Sequence, residues 1–224
     1  MKYLFFDVET TGVDAEWDNV VQLAAVLTDE VGLELATMDR IVRPDDFTIP
    51  RRAAAIHGIT TQIARVRGIG IEHVLSEFLE LVEQSDYLVA HNFSFDYTFL
   101  KVELGRAKTL QNDSQLDLFT SNEADKEAKS EAVKKQPIDQ LWWNKQSKKF
   151  LSRNSNRFHC TMRSTTEVTK IGYNPKYKSY KWPKLEELHR VLFGEQLTGA
   201  HNAMVDVRAT VRCFFELKAK RGMY

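Results

Sequence analysis

Cysteine is scarce in this chain: 2 among 224 residues, Cys160 and Cys213, far apart and without a Cys-x-x-Cys spacing. A disulfide framework is thereby excluded and a zinc site disfavoured, and both thiols read as small core residues. Long apolar runs are missing too, and the first residues pass from a strand-like stretch directly to acids where a secretory leader would be basic and then apolar. The expectation is a soluble, cytoplasmic protein. Neither an internal repeat nor a linker interrupts the sequence, and 43% hydrophobic residues in a chain of this length suffice for a full core. One elaborated domain over residues 1–224 is expected. Net charge is absent as well, with 31 basic and 31 acidic side chains, so any contact with a polyanion must be a local patch. The charges are nevertheless uneven. Residues 1–104 hold 18 acids and 8 bases, and residues 105–224 hold 13 acids and 23 bases. A negative half suited to cations faces a positive half suited to phosphates.

What is present begins with YLFFDVETTG, Tyr3 to Gly12, an apolar strand ending in two carboxylates one residue apart. Side chains alternate along a strand, so Asp7 and Glu9 point the same way. Two like charges at one site call for a cation or a proton to offset them, which suggests a divalent metal; a solvated strand end before a turn is the plain alternative. Two later segments decide between them. HNFSFD (His91 to Asp96) and HNAMVD (His201 to Asp206) each place an Asp five residues after a His, near the start of a helix. Five residues turn about 500° on a helix, so His201 belongs in the loop before Asp206, where its ring can approach a metal-held water as a general base.

In these segments the chain resembles the DEDDh branch of the 3′–5′ exonucleases, which includes proofreading subunits of bacterial replicative polymerases, ribonuclease T and oligoribonuclease. The resemblance runs from Tyr3 to about Leu217. It implies an α/β, ribonuclease-H-like three-layer fold, a central mixed sheet with helices on both faces. It further implies that Asp7, Glu9, Asp96 and Asp206 hold two Mg²⁺ or Mn²⁺ ions, that His201 is the general base, and that nucleoside 5′-monophosphates leave one at a time from a free 3′ end. Single-stranded DNA is favoured over RNA as the substrate, and a polymerase or other replication or repair protein is a partner the resemblance allows. Thr10, Thr11 and Gly12 would contact the terminal nucleotide with Asn92 in support. His57, in a His-Gly-Ile-Thr stretch, lies near the nucleotide in the family, and a purely structural role stands beside that reading. An exoribonuclease, an endonuclease of the same fold, a binding module and a polymerase-docking subunit are the competing functions.

Strands are expected over Tyr3–Asp7, Val20–Thr28, Leu33–Val42, Tyr87–Ala90 and near Phe158–Met162. Helices are expected over Ile71–Val82, from Ser94, over Arg163–Ile171 and Leu185–Leu192, and from an Asn202 cap to about Lys220. A short helix over AAAIHGIT should end at Gly58, with a further short turn from Thr60. Residues 105–157 exceed the family pattern: a polar stretch, 122–136, precedes PIDQLWWNKQSKKFL, where Trp142 and Trp143 stand among seven basic residues between Lys134 and Arg157. Aromatics interleaved with positive charge suit single-stranded nucleic acid, and this segment is expected to wall the substrate groove; anchoring of the Trp residues in the core is the alternative. NPKYKSYKWPK, Asn174 to Lys184, is a second basic and aromatic loop and a candidate phosphate contact.

Overall fold

A computed structural model describes residues 1–120, 140–152 and 155–224. Five strands form one sheet in the order β3-β2-β1-β4-β5: β1 (Tyr3–Thr10), β2 (Val20–Thr28), β3 (Glu34–Ile41), β4 (Tyr87–Ala90) and β5 (Phe158–Cys160). The first three are antiparallel neighbours, and β4 and β5 continue parallel to β1. Asp29 accepts the backbone N–H groups of Val31 and Leu33, both at 2.9 Å, and so closes the β2–β3 turn where the sequence places it.

The period of two along β1 divides the core. Leu4, Phe6 and Val8 face α3 (Ile71–Gln84), whose Val74, Leu75, Phe78, Leu79 and Val82 recur at helical spacing and are fully buried. Tyr3 and Phe5 face α9 (Ala203–Arg221), which brings Val207, Val211 and Phe214 against them. Each such Leu, Val or Phe contributes about 1.5–3 kcal/mol on burial, so the two faces hold β1 between rigid layers. Before α3 come α1 (Arg51–His57) and α2 (Thr61–Arg67). Gly58, at a φ of 77°, closes α1 by donating its N–H to Ala54. The Thr60 hydroxyl caps α2 by accepting from Ile63 at 3.2 Å, which turns the expected short turn into a helix of two turns.

After β4 runs α4 (Phe93–Thr120), then α5 (Gln140–Leu151). The polar stretch 122–136 and Pro137 lie outside the described residues. The expected groove wall does not survive for α5. Trp143 and Phe150 are 1% and 0% exposed and join the α3 face of the core, Phe150 meeting Phe78 edge-on at 5.4 Å. Trp142 donates to Glu83 at 3.3 Å, Gln146 donates to the same carboxylate, and Lys149 donates to the Glu83 carbonyl. Glu83 closes α3 before β4 begins, about 20 Å along the sheet from the acids of β1. The candidate substrate contacts Trp142 and Trp143 are therefore corrected: one ring is inside the core, and the other is tied to α3 at the far end of the sheet.

Helix is also interrupted where the sequence suggests one continuous segment. It splits into α6 (Thr161–Ser164) and α7 (Thr166–Thr169). Thr165 returns its hydroxyl to the Thr161 carbonyl at 2.6 Å, and Thr169 does likewise to Thr165, competing with the regular ladder; Lys170, at a φ of 49°, then ends the turn. Helix α8 (Leu185–Phe193) stops at Gly194, as its sequence signals.

Core membership of α5 has a measurable consequence. Trp143→Ala should remove about 3–5 kcal/mol of stability in urea titrations, whereas Trp142→Ala should remove about 1 kcal/mol. Equal effects from the two substitutions would contradict the packing.

Candidate active site

Asp7 and Glu9 stand two residues apart on β1, opposite Ala24 and Gln22, and so project to the α9 face. Beyond Glu9 the register slips by one residue, so that Thr10 pairs with Val20. Helix α9 delivers the third acid. Its cap, Asn202, accepts from Val205, and Asp206 falls in the first turn, where the helix dipole favours a carboxylate. Carboxylate oxygens of Asp7, Glu9 and Asp206 all lie within 4.8 Å of one another, and each residue is half-buried. Asp96, in the first turn of α4, is 2% exposed and stands outside that cluster; its Oδ1 accepts the Val8 backbone N–H at 3.0 Å.

The two helix entrances match. Asn92 and His201 precede α4 and α9 with φ values of 65° and 67°, a left-handed conformation that is unfavourable for residues with a Cβ. His201 donates its backbone N–H to Asp206 at 2.9 Å. Its exposed ring sets Nε2 3.8 Å from the Glu186 carboxylate of α8, a neighbour that sequence spacing cannot reveal. His91 is the opposite case, bound on both sides. Nδ1 meets the Thr161 hydroxyl at 3.0 Å and Nε2 meets the Pro183 carbonyl at 3.0 Å. Burial lowers its pKa to about 4, so the ring is neutral, with the Nε2 proton donated to Pro183 and Nδ1 accepting from Thr161.

Two clefts flank the acids, and Phe95 lines both. One, of about 430 Å³, holds Asp7, Asp206, Asn92 and His201 with Trp182, Lys184 and Glu186. The other, of about 390 Å³, is bounded by Glu9, Thr10, Thr11, Gly12, Arg52, Ile56 and His57. The loop after β1 is fixed tightly: Thr10 donates to the Gly12 carbonyl at 2.5 Å and Thr11 donates to Asp18 at 2.9 Å. Arg106 of α4 donates to the carbonyls of Ala15, Glu16 and Asp18. A Cβ on Gly12 would stand 2.3 Å from the Asp18 carboxylate, so this close approach requires glycine. His57 Nδ1 accepts from Ile59 at 3.1 Å, while its buried Nε2 makes no hydrogen bond of ordinary geometry among the described residues. Burial lowers the pKa of this ring, with the nearby Thr10 backbone acting in the opposite direction.

All four acids are harder to ionise than usual. Burial, then Asp96, Asp206 and Glu9, hold Asp7 well above the carboxylate range. Burial, then Asp206, push Glu9 up to about 7. Burial raises Asp206 to about 6 against the pull of the His201 N–H, and burial raises Asp96 against the Val8 N–H. Crowded oxygen donors that resist ionisation alone suit a hard divalent cation, which would offset their repulsion and suits Mg²⁺ or Mn²⁺ better than a soft metal. The donor set therefore fits the group that the sequence implied.

The exonuclease family model matches residues 4–128, more than half of the chain. The chain belongs to that family. The match covers Asp7, Glu9 and Asp96 but ends before His201 and Asp206, which the fold adds. Over 100 residues, 45% of the chain, it is 36% identical to the PolC-type DNA polymerase III of Thermotoga petrophila, of which it spans 7%. The epsilon subunit of DNA polymerase III from Treponema pallidum is 35% identical over 103 residues, 46% of each chain. The chain thus spans less than half the length of either relative. Escherichia coli exonuclease I in complex with a dA16 oligonucleotide superposes at a TM-score of 0.66 and 20% identity, covering 99% of this chain and 41% of that one. Exonuclease I from Methylocaldum szegediense gives 0.64 and 20%, covering 99% and 41%. With the sheet order described above, these likenesses establish the ribonuclease-H-like α/β fold. No helix among the described residues is long and apolar enough to cross a membrane.

The raised acids of this chain fix the sign of a stability change. A carboxyl whose folded pKa exceeds its unfolded value stabilises the fold at low pH, and that contribution is lost as pH rises from about 4.5 through 7 for Glu9. In EDTA, Glu9→Gln should therefore melt about 5 °C above the unsubstituted protein at pH 8 and level with it near pH 5. A constant offset across that range, read by calorimetry, would contradict repulsion at the site.

Proposed function

We propose that this chain is a metal-dependent 3′–5′ exonuclease acting on single-stranded nucleic acid, DNA in preference to RNA, within one domain over residues 1–224 that carries an insertion at about 105–157. The observation that carries the reading is the convergence of Asp7, Glu9 and Asp206 within 4.8 Å at the end of β1. Asp96 completes the acidic set from α4, beside Val8. Two Mg²⁺ or Mn²⁺ ions held by these four carboxylates would supply positive charge at the scissile phosphate and lower the pKa of a water molecule.

The chain's own residues do the rest. The fixed Thr10–Gly12 loop, with His57 behind it, receives the terminal nucleotide, and Asn92 lines the neighbouring cleft. His201 stands on the rim above Asp206 with an exposed ring, placed to take the proton of the attacking water. Glu186 faces the imidazolium so formed and stabilises it. The leaving group is the 3′-oxygen of the shortened strand, and the product is a nucleoside 5′-monophosphate. Docking to a replicative polymerase is a second reading, favoured by the names of the relatives.

A 5′-labelled single strand incubated in Mg²⁺ should give a descending ladder, while a closed single-stranded circle persists. Rapid cutting of the circle would reassign the chain as an endonuclease. Asp206→Asn should retain the fold by circular dichroism and lose hydrolysis by about 10³-fold or more. Full activity in that variant, or in excess EDTA, sinks the metal assignment. His201→Ala should slow single-turnover cleavage by about 10²–10⁴-fold with strand binding retained; parallel loss of binding would give it a substrate role in place of proton transfer.

A further inference from the structure

The cleft that contains Asp7, Asp206 and His201 is bordered by a loop with no part in the chemistry above, Tyr173 to Lys184. Its Trp182 lines the cleft yet is 55% exposed, and Lys184 lines the cleft beside it. The Arg163 guanidinium lies 5.2 Å from the indole centroid, stacked over the ring. Tyr173 and Tyr177 are exposed along the same loop, and Lys176 lies over Tyr177 at 5.4 Å. Positive heads with exposed aromatic faces are what a single strand requires, because its phosphates need neutralising and its bases stack on any flat apolar surface.

Trp182 is held in place on both sides. The next residue, Pro183, accepts from the neutral His91 at 3.0 Å, and His91 is itself tied to Thr161. Lys181 pairs with Glu187 at 2.8 Å, and the Lys184 N–H donates to the same carboxylate at 2.8 Å, which fastens the loop to the first turn of α8. An aromatic ring already fixed at the rim loses little freedom when a base stacks on it. The basic and aromatic segment on α5 is buried or tied to α3 at the far end of the sheet, whereas this one opens onto the acids.

We propose that Trp182, backed by Arg163 and flanked by Lys184, is a base-stacking site that grips a single strand on the opposite side of the catalytic acids from the Thr10–Gly12 cleft. The inference rests on the exonuclease reading and adds a second point of grip to it, supplied by a loop bound to the core through His91. A strand seated in both clefts passes Phe95, which lines each of them, and sets its scissile phosphate over Asp7.

The test is binding of 5′-fluorescein-labelled oligodeoxynucleotides of ten residues with free 3′ ends to the full chain in Ca²⁺, with Mg²⁺-dependent cleavage of the same strands measured separately. Trp182→Ala should weaken binding and raise KM by about 5- to 100-fold with kcat within twofold, Trp182→Phe should restore most of the loss, and Arg163→Gln should lower the salt slope of binding. A single abasic residue is then walked through the second to sixth positions from the 3′ end. At one position it should weaken the unsubstituted protein by a similar factor yet leave Trp182→Ala unaffected. If Trp182→Ala folds with an unchanged melting temperature and binds as tightly as the unsubstituted chain, or if no abasic position couples to it, the stacking site is refuted. Failure of the unsubstituted chain to cleave any 3′ end while still binding through Trp182 would overturn the exonuclease reading and leave the stacking site standing.

Discussion

Repulsion among carboxylates at the end of β1 is the constraint around which this molecule is built. Asp7, Glu9 and Asp206 crowd within 4.8 Å, and every one is pushed toward its protonated form by burial and by its neighbours. Such an arrangement persists only where surrounding structure fixes it. Here β1 is the central strand, held between α3 and α9 by Leu4, Phe6 and Val8 on one face and Tyr3 and Phe5 on the other. The Phe214 ring, packed edge-on against Phe5 at 5.2 Å, holds α9 against β1, while the Asn202 cap starts the helix whose first turn carries Asp206. Backbone N–H groups soften the repulsion locally, that of His201 toward Asp206 and that of Val8 toward Asp96.

The same economy serves the two His-Asn entrances differently. Both put a residue at positive φ before an acid-bearing helix, yet His91 is half-buried, neutral and bound at both nitrogens, while His201 is exposed and close to Glu186. One imidazole is a strut that ties β4 to the segment before α8. The other stands exposed at the rim of the cleft, 3.8 Å from Glu186. Tertiary surroundings separate the two rings, since sequence context is nearly identical at the two sites.

Much of this was legible from residue patterns because the signals are local. Alternation along Tyr3–Glu9 set the shared face of the acids, Gly58 and Gly194 marked helix ends, and Asn202 marked a cap. Composition misled at α5, where charge and tryptophan suggested a nucleic-acid contact. Trp143, Gln146 and Phe150 nevertheless recur at three- and four-residue steps, the spacing of one buried helical face, and all three are buried. That periodicity was present in the sequence and outweighs the lysines, which lie around it. The Glu186–His201 approach and the His91–Pro183 strut join segments 15 and 92 residues apart and depend on the closed fold, so no spacing rule reaches them. The threonine hydroxyls that divide α6 from α7 compete with the helix ladder only once the local turn exists.

If the converged acids form a cation site, metal and protons must compete for the same oxygens. The most direct measurement is titration calorimetry of Mn²⁺ into metal-free protein at pH 6.5 in two buffers of different ionisation enthalpy. Binding should release protons, with a heat that differs between the buffers, and the release should fade at pH 8 as Glu9, at about 7, and Asp206, at about 6, ionise unaided. Absence of Mn²⁺ binding, or binding with no proton release at pH 6.5, would contradict the account.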